Sequence, residues 1–336
     1  MQRELTPNTA IEAAYIGSHI THVGIPDTNL NQLSANQLEL RDALNVRVPN
    51  PYFGIIPRSS SLGDPTITVA QLMKRYPRYT TVSLYRNNVG TTLYRGLEVS
   101  LKQRTSRGLA YSIAYTRSRL LDDASSVFDA SILTGPIANY PVADSFSRRL
   151  ERDVSTGDMP HVFVASGVWD VPIGTGRAWQ PRGVPGAVLG GWTVTGIVTL
   201  QSGMPVAVTQ ATNFNAFAGF GVQRPNLVAS PALPADQRTP SQWFNVKAFA
   251  VAPQFTIGTA SRNPVRGPAY RDVDLAIVRR IPIGGPRSLE FRAEVFNLLN
   301  MPPLGQPAGV LGAANFGTIT SAGDPRVIQI AVKAAF

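Results

Sequence analysis

PRVIQIAVKAAF, residues 325–336, reads as one β-strand with two unlike faces. Phe336, Ala334, Val332, Ile330 and Ile328 fall on one side of an extended chain, while Ala335, Lys333, Ala331, Gln329 and Val327 fall on the other. Side chains alternate along a strand with period two, so the first face is wholly apolar and the second carries a Lys and a Gln. About ten residues of such alternation is the length of a strand that crosses a bilayer. A soluble sheet can also finish this way, so the weight rests on whether the pattern recurs.

It recurs upstream. Leu289–Asn300 (LEFRAEVFNLLN) sets Leu289, Phe291, Ala293 and Val295 against Glu290, Arg292 and Glu294. Before it, Tyr270–Ile281 sets Val273, Leu275 and Ile277 against Asp272 and Asp274, with Pro282–Arg287 between them as a Gly- and Pro-rich tight turn. Leu93–Arg104 opposes Leu97, Val99 and Leu101 to Glu98, Ser100 and Lys102, then turns at Thr105–Gly108 into Leu109–Arg119. His161–Pro172 with Gly190–Gly203 forms a further pair, and Thr9–Ser18 reads as the first full strand. Several charges on one strand face need water or one another, which a water-filled bore supplies. The outer face of a soluble sandwich would supply it too.

The connections separate these two possibilities. Short links (Thr6–Asn8, Thr105–Gly108, Pro282–Arg287) alternate with long ones, about Ile20–Thr92, Leu121–Pro160, Met204–Ala269 and Met301–Asp324. Long loops are uncommon inside compact soluble domains, whereas outer-membrane barrels have short turns at one rim and long loops at the other. With the last strand descending to the periplasm, parity gives eight complete crossings from Thr9 onward. Gln2–Leu5 is then the stub of a preceding strand. The fold expected is all-β: an antiparallel transmembrane β-barrel segment of about eight strands of a larger barrel, with short periplasmic turns and long extracellular loops.

Composition agrees. The 336 residues are 43% hydrophobic, yet no run approaches the roughly 20 apolar residues of a membrane helix. Cysteine is absent, which removes disulfides and Cys-based chemistry. The net charge of +10 comes from arginines dispersed through loops and turns, so no nucleic-acid partner is expected. Met1-Gln-Arg-Glu-Leu5 has no charged n-region followed by an apolar stretch, so no signal peptide is read there and the chain is expected to be a fragment.

Catalytic chemistry finds little support, and the chain is expected not to be an enzyme and to need no cofactor. His19 and His22, three apart on a strand, point to opposite faces and make a poor metal half-site. Ser202 lacks the glycine two residues earlier that a nucleophile elbow requires. Ile173-Gly-Thr-Gly-Arg177 lacks the third glycine of a phosphate loop and reads as a turn. Asp122, Asp123, Asp144, Asp153 and Asp158 share one long loop, where a solvated loop outweighs a Ca²⁺ site. The candidate ligand-contacting residues are the loop aromatics Phe214, Phe217, Phe220, Trp243 and Phe244, which could stack on a sugar or grip an apolar ligand, or pack the loop over the barrel mouth. Trp169, Trp192, Tyr94 and Tyr115 are expected near strand ends, in the aromatic girdles.

Eight stretches together resemble a known family. They are Arg75–Tyr79, Tyr94–Arg104 with Gly108–Asp123 (YRGLEVSLKQR, GLAYSIAYTRSRLLDD), Leu189–Pro205 (LGGWTVTGIVTLQSGMP), Arg224–Leu227, Trp243–Asn245, Arg262–Ile277 (RNPVRGPAYRDVDLAI), Phe291–Asn300 and Phe316–Phe336. In order and spread they resemble the C-terminal barrel of TonB-dependent receptors of the Oar-like kind, which often carry a carboxypeptidase-regulatory-like domain. The resemblance implies that residues 1–336 are the C-terminal portion of such a barrel, without plug or signal peptide. It implies outer-membrane localisation and a role in ligand uptake, with an unknown ligand at the outer loops. The partners implied are outer-membrane lipid, the barrel-assembly machinery reading the C-terminal strand with Phe336 as its signal, and, in a full-length relative, the plug domain and TonB. The competing reading is a secreted soluble β-sandwich, an adhesin or carbohydrate-binding module.

Overall fold

The computed structural model describes residues 1–336 apart from Pro26, Arg86, 125–142, 175–176, Pro286 and the side chain of Ala187. Nine strands form one antiparallel sheet in chain order, each paired with its sequence neighbours. They are β1 (Gln2–Thr6), β2 (Thr9–Val23), β3 (Gly90–Ser106), β4 (Leu109–Asp122), β5 (His161–Asp170), β6 (Trp192–Gln201), β7 (Tyr270–Gly284), β8 (Arg287–Phe296) and β9 (Val327–Ala335). The short strand Asp153–Val154 joins the end of β4. The eight crossings and the preceding stub are therefore as the alternation predicts. Among the described residues no ladder joins β9 to β1 or β2, so the sheet is open.

Register carries the two faces across the whole sheet. Ile11, Leu101, Ile113, Ala165, Val198 and Val273 oppose one another in turn across six strands, and Ile277, Ala293 and Ile330 continue that face. The neighbouring row on the other face holds Lys102, Ser112, Ser166 and Asp274, and near the C-terminus Arg280, Glu290 and Lys333. There Glu290 pairs with Arg280 at 2.9 Å and Arg292 at 3.1 Å. A one-residue slip would exchange the faces, so this agreement over eight strands fixes the register.

No second sheet covers the apolar face. Ile330 stays 79% exposed and Tyr15 70%. Among the described residues, the buried hydrophobic side chains lie in the long loops, Leu120 excepted. A sandwich would bury those rows between two layers. The soluble sandwich is therefore the wrong architecture for this chain.

The turns close one rim. Ser106 pairs with Leu109 around Arg107 (φ 51°) and Gly108 (φ 83°), a two-residue loop in which both central residues have positive φ. Such primed turns match the twist of the strands they join. A Cβ at Gly108 would lie 2.7 Å from the Asp170 carbonyl oxygen. Gly108→Ala is expected to destabilise this rim by about 1–2 kcal/mol, read as loss of protease resistance in isolated outer membranes at a lower temperature. The link from β5 to β6, in contrast, is no short turn. It spans 171–191 and contains helix Val184–Leu189; Thr175 and Gly176 of the rejected phosphate loop lie outside the described residues, as does Pro286 of the Pro282–Arg287 turn.

Three of the four girdle aromatics stand on the apolar face. Trp169 and Trp192 end β5 and begin β6 at the turn rim, with Arg279 stacked 5.3 Å from the Trp192 ring. Tyr115 stands mid-strand, its hydroxyl 2.7 Å from His161 Nδ1. Tyr94 is different: it faces Ser18 and Leu120 on the polar side and lies over Gly96, where a Cβ would meet its hydroxyl at 2.6 Å. Its ring fills the gap that the glycine leaves.

Candidate functional site

The described parts of the long connections 24–89, 123–160, 202–269 and 297–326 share the opposite rim and are folded. Helix α1 (Ala35–Leu38) carries a capping box, with Ser34 and Gln37 exchanging backbone and side-chain bonds. Helix α2 (Val69–Met73) is capped by Thr68 and ends at Lys74. Leu33, Leu38, Leu44 and Ala70 from the first loop pack with Ala218 and Phe220 from the third. A second cluster, centred on Val208, Phe244, Phe249 and Val265, takes Leu311 and Phe316 from the fourth. Loops that bury their own apolar side chains against one another form a cap.

Charge pairs lock the cap to the strand ends. Asp122 at the end of β4 pairs with Arg262, and both side chains are about 98–99% buried. Asp158 pairs with Arg266 and accepts the Leu120 backbone N–H at 2.6 Å. Glu151 pairs with Arg224 at 2.6 Å; burial pulls the Arg224 guanidinium below its ordinary value, and Glu151 opposes that shift. Asp123 pairs with Arg148 at 2.9 Å, Asp153 accepts from the Asn263 N–H at 2.8 Å, and Asp144 accepts from Gln32 at 2.8 Å. The described acidic residues of this loop thus each hold a separate partner. Among the described residues no group of three His, Cys, Asp or Glu is placed to hold a metal ion.

Within this cap lies a cavity of about 570 Å³ between the first loop and residues 216–221. Gln71 shapes one wall by donating to the carbonyls of Pro77 and Tyr79, both at 2.8 Å, which folds the chain back beyond α2. Lys74 lines the cavity with only 7% of its surface exposed. Burial lowers its pKa from the ordinary lysine value. Arg47 and Asp64, paired at 3.7 Å, stand half-exposed at the mouth.

The five loop aromatics do not gather at one place. Phe217 and Phe220 line the cavity, and Phe217 meets Phe255 edge-to-face at 5.8 Å. Phe244 is 1% exposed at the centre of the other cluster, edge-on to Phe249 and Phe316. Trp243 packs beside it and donates its indole N–H to the Arg266 carbonyl at 2.8 Å. Phe214 is exposed elsewhere on the cap. His22 adopts φ 60° at a bulge ending β2, and His161 is held by Tyr115 on the apolar face. The alternation pattern could not find Lys74, because it lies in a loop. The scarcity of lysine, four residues among 31 cationic ones, is the signal that could have singled it out.

A model of the outer membrane beta-barrel domain family matches residues 1–329. The chain belongs to that family. No curated protein matches the sequence. The crystal structure of the outer membrane transporter YddB from Escherichia coli is similar at 11% identity and a TM-score of 0.40, with 98% of this chain and 31% of that chain covered. As an outer membrane beta-barrel domain, the chain turns its apolar rows to lipid. The charged rows then face the bore, and the loop cap closes over one rim. On the lipid-facing side, Arg95 and Arg119 stand opposite each other between the Leu93–Leu121 and Leu97–Arg117 pairs, and none of these three arginines has an acidic partner among the described residues.

Proposed function

We propose that this chain forms the C-terminal wall and outer loops of a TonB-dependent receptor of the Oar-like kind, a transporter that captures a scarce solute at its cap and admits it when TonB acts on a plug. In this reading it is a receptor and not an enzyme, and its site residues are ligand contacts. The observation that carries the reading is the open nine-stranded meander with a lipid-facing and a bore-facing side. Two unpaired edges in hydrocarbon are costly, because backbone groups there have no water to bond. Further strands on both sides satisfy them and widen the bore enough to need a plug. Phe336, continuing the lipid-side parity of β9 at the turn rim, is the residue offered to the assembly machinery.

The test is photo-crosslinking in native outer membranes. A photoreactive residue at Ser100 or Thr199, both on the bore side, should capture peptides of a globular plug. Capture of lipid instead would place that face outward and remove the receptor reading. Capture of nothing but water would leave a barrel without a plug.

A further inference from the structure

Lys74 is the one cavity-lining cation that no other described residue answers. Its side chain makes no hydrogen bond or ion pair among the described residues, although it is 93% buried by the exposure of 7%. Its ammonium keeps some contact with water in the cavity, and drawing a charge that far from bulk solvent without a partner is unfavourable. Its pKa is lowered by burial, so the sign of the effect follows. Stability falls as the pH drops from the unfolded lysine pKa through the lower folded one, and the empty site with Lys74 protonated carries that penalty. An anion seated against Lys74 would remove it.

The rest of the wall narrows the chemistry. Arg47 and Asp64 largely neutralise each other at the mouth, and Asp27 lies at an exposed edge with no partner among the described residues. The hydroxyls of Ser61, Thr80 and Thr81 also line the cavity without an internal partner among the described residues. Phe217 and Phe220 give an apolar surface beside them. One buried cation, free hydroxyls, a carboxylate able to accept O–H groups and an aromatic surface together match a sugar that carries one acidic group. A cavity of about 570 Å³ falls in the range of small-molecule sites and accepts a disaccharide.

We infer that this cavity binds an acidic saccharide, with its carboxylate or phosphate against Lys74, its hydroxyls toward Asp27, Thr80 and Thr81, and one ring face on Phe217 and Phe220. The inference rests on the receptor reading for its meaning in uptake, but the site itself can be tested apart from transport.

The experiment is amine footprinting of the full chain in native outer membranes. Lys74, Lys102, Lys247 and Lys333 are the four lysines of the sequence, so mass spectrometry follows each separately. The probes are cellobiouronic acid for the carboxylate, glucose 6-phosphate for the phosphate and neutral cellobiose as control. One acidic probe at about ten times its Kd should slow acylation of Lys74 about tenfold, while exposed Lys247 reacts at an unchanged rate. Which acid protects tells carboxylate from phosphate. No protection by either up to about 10 mM, a concentration that fills even millimolar sites, would overturn the inference, as would equal protection by cellobiose. A Lys74→Met variant should bind neither radiolabelled acid yet keep its loops protease-resistant to a higher temperature than the parent. Loss of binding together with loss of that resistance would point to a structural lysine and overturn the site. Protection at Lys74 with no plug captured keeps the site and discards the receptor; a captured plug without protection does the reverse.

Discussion

Ile330→Arg should keep the chain out of the outer membrane, whereas Gln329→Arg should leave assembly intact. The two residues are adjacent in β9 and differ only in face: Ile330 opposes Ala293 on the lipid side, Gln329 opposes Glu294 on the bore side. A cation on the lipid face near mid-membrane is unfavourable by about 2–4 kcal/mol. Among the described residues β9 pairs with β8 alone. At Gln329 the new guanidinium meets Glu294 and water. The measurement is the fraction of each variant recovered in outer membranes after export. Equal recovery of the two would mean that the two faces do not differ, and exclusion of Gln329→Arg alone would mean that their assignment is reversed.

Arg262→Met should loosen the cap far more than Arg47→Met. Arg262 is the partner of Asp122, and the two side chains are 2% and 1% exposed. Removing one member leaves a buried charge uncompensated, a loss of about 3–5 kcal/mol. Arg47 and Asp64 are both half-exposed, where a pair contributes about 0–1 kcal/mol. Hydrogen exchange at amides of 153–158 and 259–266 reads the difference. Adding Asp122→Asn to Arg262→Met should restore much of the protection, because the orphaned charge is then gone. If both single variants exchange alike, the pair is not what joins the third loop to the end of β4.

The strands were legible because their rule is local. Ile328, Ile330 and Val332 announce a lipid side two residues at a time, and the same reading of Leu97, Val99 and Leu101 holds 231 residues upstream. The sandwich alternative shares that rule, so alternation alone left it open; the lopsided connections weighed against it, and the uncovered apolar rows removed it. The loops were not legible in the same way. Asp122, Asp123 and Asp158 read as a solvated or cation-binding cluster, yet each has its own arginine partner drawn from 25 to 140 residues away. The dispersed arginines, read as a diffuse positive charge, include the other halves of those locks. Phe244 read as a possible ligand contact because exposure is invisible in a Gly-rich loop; only its neighbours, Phe249 and Phe316, bury it.

What the sequence by itself determined is the sheet: its strand number, its order and which side of each strand meets lipid. Period-two chemistry is written in residues that touch their neighbours in the chain, and hydrocarbon enforces it strand by strand. What only the tertiary structure decided is the cap, its arginine locks and the buried Lys74. Those depend on side chains brought together from separate loops, and no periodicity in the chain encodes a meeting between residues that share no strand.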